Sequence, residues 1–431
     1  MVMGRWQGNR VAGGLGILAL MGSLAGISAG PAGAAFPGIN GKIACSSNRT
    51  GNFDIWTFDP TGTEVNPTNL TNHPANDGRP RWRSDGQRIA FESNRGGGFD
   101  IWVMNADGSN PTQVTRTGDA TSPAWHPDGS QIVYQRNIPG RFFEIYKINI
   151  DGTGETNLAP TQVEDSLPFW SPDGTVIAYS TRREDPAADV HTMDSFGNNI
   201  VNLTNNPGVE DSWPNWSPDG SQITFHSRRD DPLGEEIYRM NADGSNVTRL
   251  TFNEGPVQGS FDIFPAWSPD GSRIVWNSGR NASNFGEVYH MSATAGDRDI
   301  VRVTNHPAVD QRCDWQPLCT IYGSGDIAGT GGDDIICGSE GPDRIAALGG
   351  NDIVYGFGGN DDIAAGEGND RAFGGLGADD IAGEGGADFL SGGPGADRLS
   401  AERGERIDTG AGPGDQCAIF GQGITCPAPL S

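Results

Sequence analysis

One repeated phrase constrains this chain more than any other feature. It reads PRWRSDGQRIAF from Pro80, PAWHPDGSQIVY from Pro123, PFWSPDGTVIAY from Pro168, PNWSPDGSQITF from Pro214 and PAWSPDGSRIVW from Pro265. Its tryptophans are Trp82, Trp125, Trp170, Trp216 and Trp267. A sixth, Trp315, follows in CDWQP, and the spacings are 43, 45, 46, 51 and 48 residues. Such self-similarity means that each unit is one supersecondary piece that buries its apolar face only against its neighbours.

Every unit contains four strand-like pieces. The tryptophan segment comes first. Asp-Gly, which tolerates positive φ, then turns the chain into an alternating strand such as residues 88–92. A third strand begins at an acidic residue (Asp54, Asp100, Glu144, Asp189, Glu236, Glu287), whose expected role is to bind its own turn. A fourth ends in Leu-Thr or Val-Thr. Four strands per 40–50 residues predict the blades of an all-β propeller, six in number. The first unit, from Gly38, lacks its tryptophan strand, and the last leaves Cys313-Asp314-Trp315-Gln316 over. The expected closure is therefore by the C-terminal strand completing blade 1, which removes the ring's open edge.

The motifs x-P-x-W-S-P-D-G, D-I-W-x-M-N-A-D-G-S and L-T resemble those of the TolB-like propeller family over about residues 36–317. The resemblance implies a six-bladed ring that serves as a binding platform. TolB itself has an α/β domain before its propeller, and none is expected ahead of residue 36, so the periplasmic TolB role is not implied.

An aspartate precedes each tryptophan strand: Asp77, Asp119, Asp165, Asp211, Asp262 and Asp310. These form a candidate ring at one channel mouth, either as a site for a cation or basic peptide or as loop caps that accept backbone N–H bonds. The histidines (His73, His126, His191, His226, His290, His306) are scattered, with no H-E-x-x-H. A metal-dependent enzyme resembling propeller polysaccharide lyases is the rival reading, and it requires histidines from several blades to converge on the channel.

From Leu318 the chain turns to glycine and aspartate with a period of nine. Asp334, Asp343, Asp352, Asp361, Asp370, Asp379, Asp388 and Asp397 recur without a break, each followed two residues later by Ile336, Ile345, Val354, Ile363, Ala372, Ile381, Leu390 or Leu399. The apolar residue starts a short strand facing the inside of a parallel β-roll, and Ala372 is its weakest plug. The aspartates supply hard oxygen ligands for several Ca²⁺ ions, which take 6–8 oxygens. Such a ladder of like charges should couple folding to binding. GGLGADDIA from Gly374 and GGPGADRLS from Gly392 resemble the hemolysin-type (repeats-in-toxin) calcium-binding family, over about residues 318–410. At the next repeat Arg406 falls where aspartate belongs and Asp408 where the apolar residue belongs, so residues 402–409 read as a cap and 411–431 as a tail.

Residues 1–34 have the basic, apolar and small-residue order of a secretory signal peptide, ending in Ala32-Gly33-Ala34; retention as a membrane anchor is the alternative. Six cysteines in an exported chain favour disulfides. Cys319 and Cys337 lie one eighteen-residue turn apart in the roll. Cys45 and Cys313 become neighbours if the ring closes as expected, which leaves Cys417 with Cys426. The net charge of −26 argues against a nucleic-acid partner. From Thr320 onward 19 acidic residues face 5 basic ones, a net of −14. Together these readings describe a secreted or surface-associated monomer without a transmembrane segment after signal cleavage. Its calcium-stabilised roll accompanies a propeller that binds a protein or glycan.

Overall fold

The computed structural model describes residues 38–419 except 141, 162, 231–233, 253–260, 281–285, 295–298, 402–405 and 409–415. The signal or anchor segment and Cys426 lie outside the described residues. Within them the chain is all-β, and no helix is long and apolar enough to cross a membrane.

Six four-stranded antiparallel sheets form the propeller. Their innermost strands are Asp310–Leu318 in blade 1, then Asp77–Trp82, Ala120–Trp125, Asp165–Trp170, Asp211–Trp216 and Asp262–Trp267 in blades 2 to 6. Each of the six packs against the next around the ring. Asp310–Leu318 pairs antiparallel with Ile39–Ser47, placing Trp315 opposite Ile43 and Asp314 opposite Ala44. Closure is therefore as the sequence predicts, with the last strand supplying the innermost strand of the first blade. Cys45–Cys313 ties the two strands together across 268 residues of chain. Apolar packing joins the same seam: Ile43, Cys45 and Phe58 of blade 1 share a buried cluster with Ala266, Val275 and Val288 of blade 6.

The C-terminal part is a parallel β-roll of two six-stranded sheets. Strands in one sheet advance by eighteen residues, so Ile336, Val354, Ala372 and Leu390 form one row, and Ile345, Ile363, Ile381 and Leu399 form the other. Both rows meet in a single buried core, in which Ala372 is fully enclosed. Glycine is required at the fourth position of the nonapeptide. Gly368 and Gly377 sit at φ 145° and 147°, where a Cβ would collide with the carbonyl oxygen of the residue one turn earlier. Cys319 and Cys337 are bonded across the first turn.

The roll does not stop at 410. Ile407 stacks on Leu390 only seventeen residues away, and Cys417 stacks on Leu399. A strict count of nine slips at this one-residue shortening. It put Asp408 in the apolar slot that Ile407 fills, and it took the strand Gln416–Ile419 for tail. Cys417 is itself disulfide-bonded.

The roll docks on the Asp-Gly turns of blades 2 to 4. Arg83 reaches Glu340 at 2.6 Å and lies 4.4 Å from the ring centre of Phe357. Arg371 donates to the Pro172 carbonyl, and Arg406 pairs with Asp173 at 3.1 Å.

A double substitution Cys45→Ala, Cys313→Ala removes the seam's covalent tie from a very long loop. The chain-entropy argument puts the loss at about 5 kcal/mol. Urea unfolding of the double variant should show this as a lowered midpoint, with a steeper slope because the released unfolded chain exposes more surface. An unaltered midpoint would mean that packing alone holds the ring closed.

Candidate functional site

All eight roll aspartates are buried. Their first oxygens form a regular ladder. The backbone N–H of Asp334 donates to Oδ1 of Asp352 at 2.8 Å, Asp343 to Asp361 at 2.9 Å, Asp352 to Asp370 at 2.8 Å and Asp361 to Asp379 at 2.9 Å. Asp370 and Asp379 continue it to Asp388 and Asp397. The second oxygens divide into two groups. Oδ2 of Asp334 accepts from the N–H and hydroxyl of Thr330, and Oδ2 of Asp343 accepts from those of Ser339. Oδ2 of Asp352, Asp361, Asp370 and Asp379 is buried with no donor.

The division follows the second position of each repeat. Leu348, Phe357, Gly366 and Gly375, which precede the four donorless carboxylates, all take positive φ, between 71° and 104°. Thr330 and Ser339 keep ordinary backbone and turn N–H and hydroxyl inward. A left-handed non-glycine residue costs roughly 1–2 kcal/mol, so three repeats, those with Leu348, Phe357 and Glu384, carry strain at this position.

None of Asp334, Asp343, Asp352, Asp361, Asp370 and Asp379 forms an ion pair among the described residues. Burial, with some help from neighbouring aspartates, holds the Asp352 carboxyl above its ordinary value. It pushes Asp361 up to about 6 and Asp370 and Asp379 up to about 7. On the edge that carries Asp361 and Asp379, a side chain at Gly356 would fill the space where Asp361 Oδ2 meets the Gly374 carbonyl. At Gly374 it would meet Asp379 Oδ2 and the Gly392 carbonyl. Buried carboxylate oxygens without donors, beside backbone carbonyls, are the donor set of a hard cation, and the residues fit Ca²⁺.

The propeller treats its aspartates differently. Each of the six is paired with an arginine of its own blade: Asp77 with Arg95, Asp119 with Arg136, Asp165 with Arg183, Asp211 with Arg229, Asp262 with Arg280 and Asp310 with Arg49. All but Asp119 are fully enclosed. Oδ1 of Asp77, Asp211 and Asp262 is buried without a hydrogen-bond partner among the described residues, but every carboxylate of the candidate ring has its charge met by an arginine. Five of the arginines lie 17 or 18 residues after their aspartate, a regular offset that is the sequence signal for this pairing. The third-strand carboxylates bind their own blades. Asp54, Asp100, Asp189, Glu236 and Glu287 accept from the threonine of Leu-Thr or Val-Thr, and Glu144 from Asn157.

The histidines do not converge. His126 bonds Asp128, His226 contacts Ser212, His290 takes Arg273, and His73 and His306 each accept a backbone N–H two residues on. Among the described residues no three His, Cys, Asp or Glu side chains are placed to hold a metal.

The aspartate end of the channel opens into a vestibule of about 520 Å³. One residue per innermost strand (Arg312, Arg79, Ser122, Leu167, Trp213 and Phe264, from blade 1 to blade 6) sits at φ 50–60°. The strand bulges there in every blade and turns that side chain toward the axis.

Comparison with known proteins agrees with this architecture. A model of the TolB β-propeller domain matches residues 18–188 and 168–261, more than half the chain. The chain belongs to the TolB β-propeller domain family. A model of the RTX calcium-binding nonapeptide repeat matches residues 326–345, 338–372 and 373–408, so the propeller is joined to RTX repeats, which imply calcium binding. An uncharacterized protein of Agrobacterium fabrum is 28% identical over 174 residues, 39% of this chain, and the match spans 58% of that relative's length. TolB from Acinetobacter baumannii is similar in structure, with a TM-score of 0.54 at 18% identity over 64% of this chain and 67% of that one. Hydrazine synthase from Kuenenia stuttgartiensis shares the fold at TM-score 0.53 and 16% identity, over 64% and 46% of the two chains.

The raised aspartates set a pH dependence for the calcium-free roll. Folded Asp370 and Asp379 hold a proton up to about pH 7, whereas unfolded aspartate releases it near 3.9. Folding therefore takes up protons between about pH 4 and 7, and stability falls as pH rises through that window. Thermal melts in chelator should show the roll's transition dropping from pH 5 to pH 8. A transition that rises over this range would contradict the assignment.

Proposed function

We propose that this calcium-binding β-propeller protein is an exported binding protein, in which the propeller presents the partner site and the roll makes the docked assembly calcium-dependent. The observation that carries it is the set of buried Oδ2 atoms on Asp352, Asp361, Asp370 and Asp379 that meet no hydrogen-bond donor and no cationic side chain among the described residues. Of the eight aspartates proposed as metal residues, Asp334 and Asp343 stand apart, because Thr330 and Ser339 already satisfy them. Asp388 and Asp397 follow left-handed Glu384 and Gly393 and continue the calcium set.

When bound, calcium supplies positive charge to the buried carboxylate rows. The chain's own residues do the rest. The Oδ1 ladder fixes each carboxylate between turns, and the left-handed second position turns its N–H away. At Asp361 and Asp379, glycine at the first position (Gly356, Gly374) keeps the space beside Oδ2 clear. Because the ligands are charged and close, the roll should order as they are neutralised. Arg83, Arg371 and Arg406 join it to blades 2 to 4. Disulfides at Cys45–Cys313 and Cys319–Cys337 suit an oxidising, extracellular compartment. The proposed partner is a protein or glycan rather than a nucleic acid, and the proposed working form is a monomer.

Circular dichroism, titrated from chelator to millimolar Ca²⁺, should show a cooperative gain of β signal with little response to Mg²⁺. Asp361→Asn keeps the Oδ1 ladder but removes charge. It should weaken the calcium midpoint by about tenfold, in line with losses at metal-ligand positions, while raising stability in chelator. Identical spectra in chelator and calcium would refute the proposal.

A further inference from the structure

The channel layer behind the vestibule holds a charge imbalance of the opposite sign to the rest of the protein. Three arginines converge there. Arg79 pairs with Glu92 at 3.0 Å and donates to Ser122. Arg81, nearly fully buried, has Asp314 at 3.8 Å and lies 4.6 Å from the ring centre of Phe169. Arg312 has no ion pair among the described residues. Its guanidinium lies 5.2 Å from the ring centre of Phe264, and its Nε is shut off from solvent without an acceptor. The vestibule's carboxylates are already committed: Glu92 to Arg79, Asp119 to Arg136 and Glu164 to Arg182. His226 is pushed down to about 4 by burial and stays neutral. Burial, with the neighbouring charges of Arg79 and Arg81, pulls Arg312 down to about 10, which still leaves it cationic at neutral pH.

A partly buried cation without an ion-pair partner is costly, and an anion from solution relieves that cost. The shape of the space says what that anion is attached to. Arg312 sits between Arg79 and Phe264, both of which line the vestibule, and the opposite wall is Leu167, Trp213, Phe99 and Phe143. Trp213 and Phe264 pack with ring centres 4.4 Å apart and planes tilted by 48°, giving an apolar corner beside the arginines.

We propose that the propeller channel binds a carboxylate carried on an aromatic or aliphatic body, with the carboxylate on Arg312 and Arg79 and the body against Trp213 and Phe264. The inference rests on the propeller being the binding module, and it names the ligand chemistry of that module. It also separates the channel from the roll: one end of the molecule takes cations and the other takes an organic anion.

The test uses full-length, calcium-loaded protein with 3-phenylpropionate as probe and its uncharged amide as control. At about ten times the dissociation constant the acid should raise the melting temperature by about 2 °C and change tryptophan fluorescence, while the amide does neither. Arg312→Met removes the uncompensated charge, so the variant should be at least as stable as the wild type without probe and should lose the acid's increment. Arg312→Lys should keep a reduced increment. N-acetyl-Gly-Phe with a free C-terminus, compared with its C-terminal amide, tests a peptide end as the source of the carboxylate, and tighter binding than the simple acid assigns that source. Equal shifts from acid and amide, no shift from either acid, or an undiminished increment in Arg312→Met would overturn the proposal. The readout is taken at fixed calcium, so its failure leaves the calcium-coupled folding of the roll intact. Failure of the calcium titration would likewise leave the anion shift standing.

Discussion

Buried charge, and where its counter-charge comes from, organises this molecule. A carboxylate taken out of water must find opposite charge or hydrogen-bond donors, or it must hold its proton. The propeller meets this demand within each blade. Five of the six aspartates that precede an innermost strand have their arginine 17 or 18 residues later, and Asp310 takes Arg49 across the ring closure. Most of these guanidinium groups also lie over the blade's aromatic rings, as Arg95 does with Phe91 and Trp102. The roll buries a longer series of aspartates, and six of them form no ion pair among the described residues. The first two are quieted by Thr330 and Ser339, and the next four are left with a bare oxygen. Bare oxygens occur in the ring too, at Asp77, Asp211 and Asp262, so it is the lack of a paired arginine, more than the acidity of the chain, that sets the roll's carboxylates apart.

The same reasoning accounts for strain. Leu348 and Phe357 hold left-handed backbone where the repeat would place glycine. At both, the left-handed turn removes a donor from the carboxylate that follows. Phe357 has a second consequence, because its ring lies against Arg83 and ties the roll to blade 2. In the channel, the left-handed layer from Arg312 to Phe264 recurs in all six blades, although the side chains it presents differ completely. The backbone there obeys the repeat, and the chemistry departs from it.

Regular spacing made most of the fold legible in the sequence. The tryptophan phrase gave the blades, the missing first strand gave the closure, and the period of nine gave the roll together with the Cys319–Cys337 bridge. What spacing hid was of two kinds. A one-residue shortening before Ile407 broke the count, so the roll's last rungs were read as cap and tail. Pairings between segments were also missed where attention stayed on one residue type. The aspartates alone leave the ring open between a ligand site and loop caps; the arginines that decide it lie on or just after other strands. The docking contacts fall partly where the repeat departs from itself: Arg83 stands in the slot held by Ser171, Ser217 and Ser268 in other blades, and it is the residue that reaches Glu340. That Arg312 has no ion pair among the described residues could not have been recognised from sequence, since only the folded ring shows which carboxylates are already taken.

The central claim is that the donorless carboxylates of the roll are closed by calcium, and diffraction tests it most directly. Crystals grown in calcium, measured at a wavelength long enough for calcium to scatter anomalously, would locate the ions without reference to any activity. The account predicts anomalous peaks beside Oδ2 of Asp361 and Asp379, within reach of the Gly374 and Gly392 carbonyls. It predicts peaks beside Asp352 and Asp370 as well, and none at Asp334 or Asp343. Anomalous density at the propeller's aspartate ring, or a roll that is ordered in calcium with no ion at these carboxylates, would contradict it.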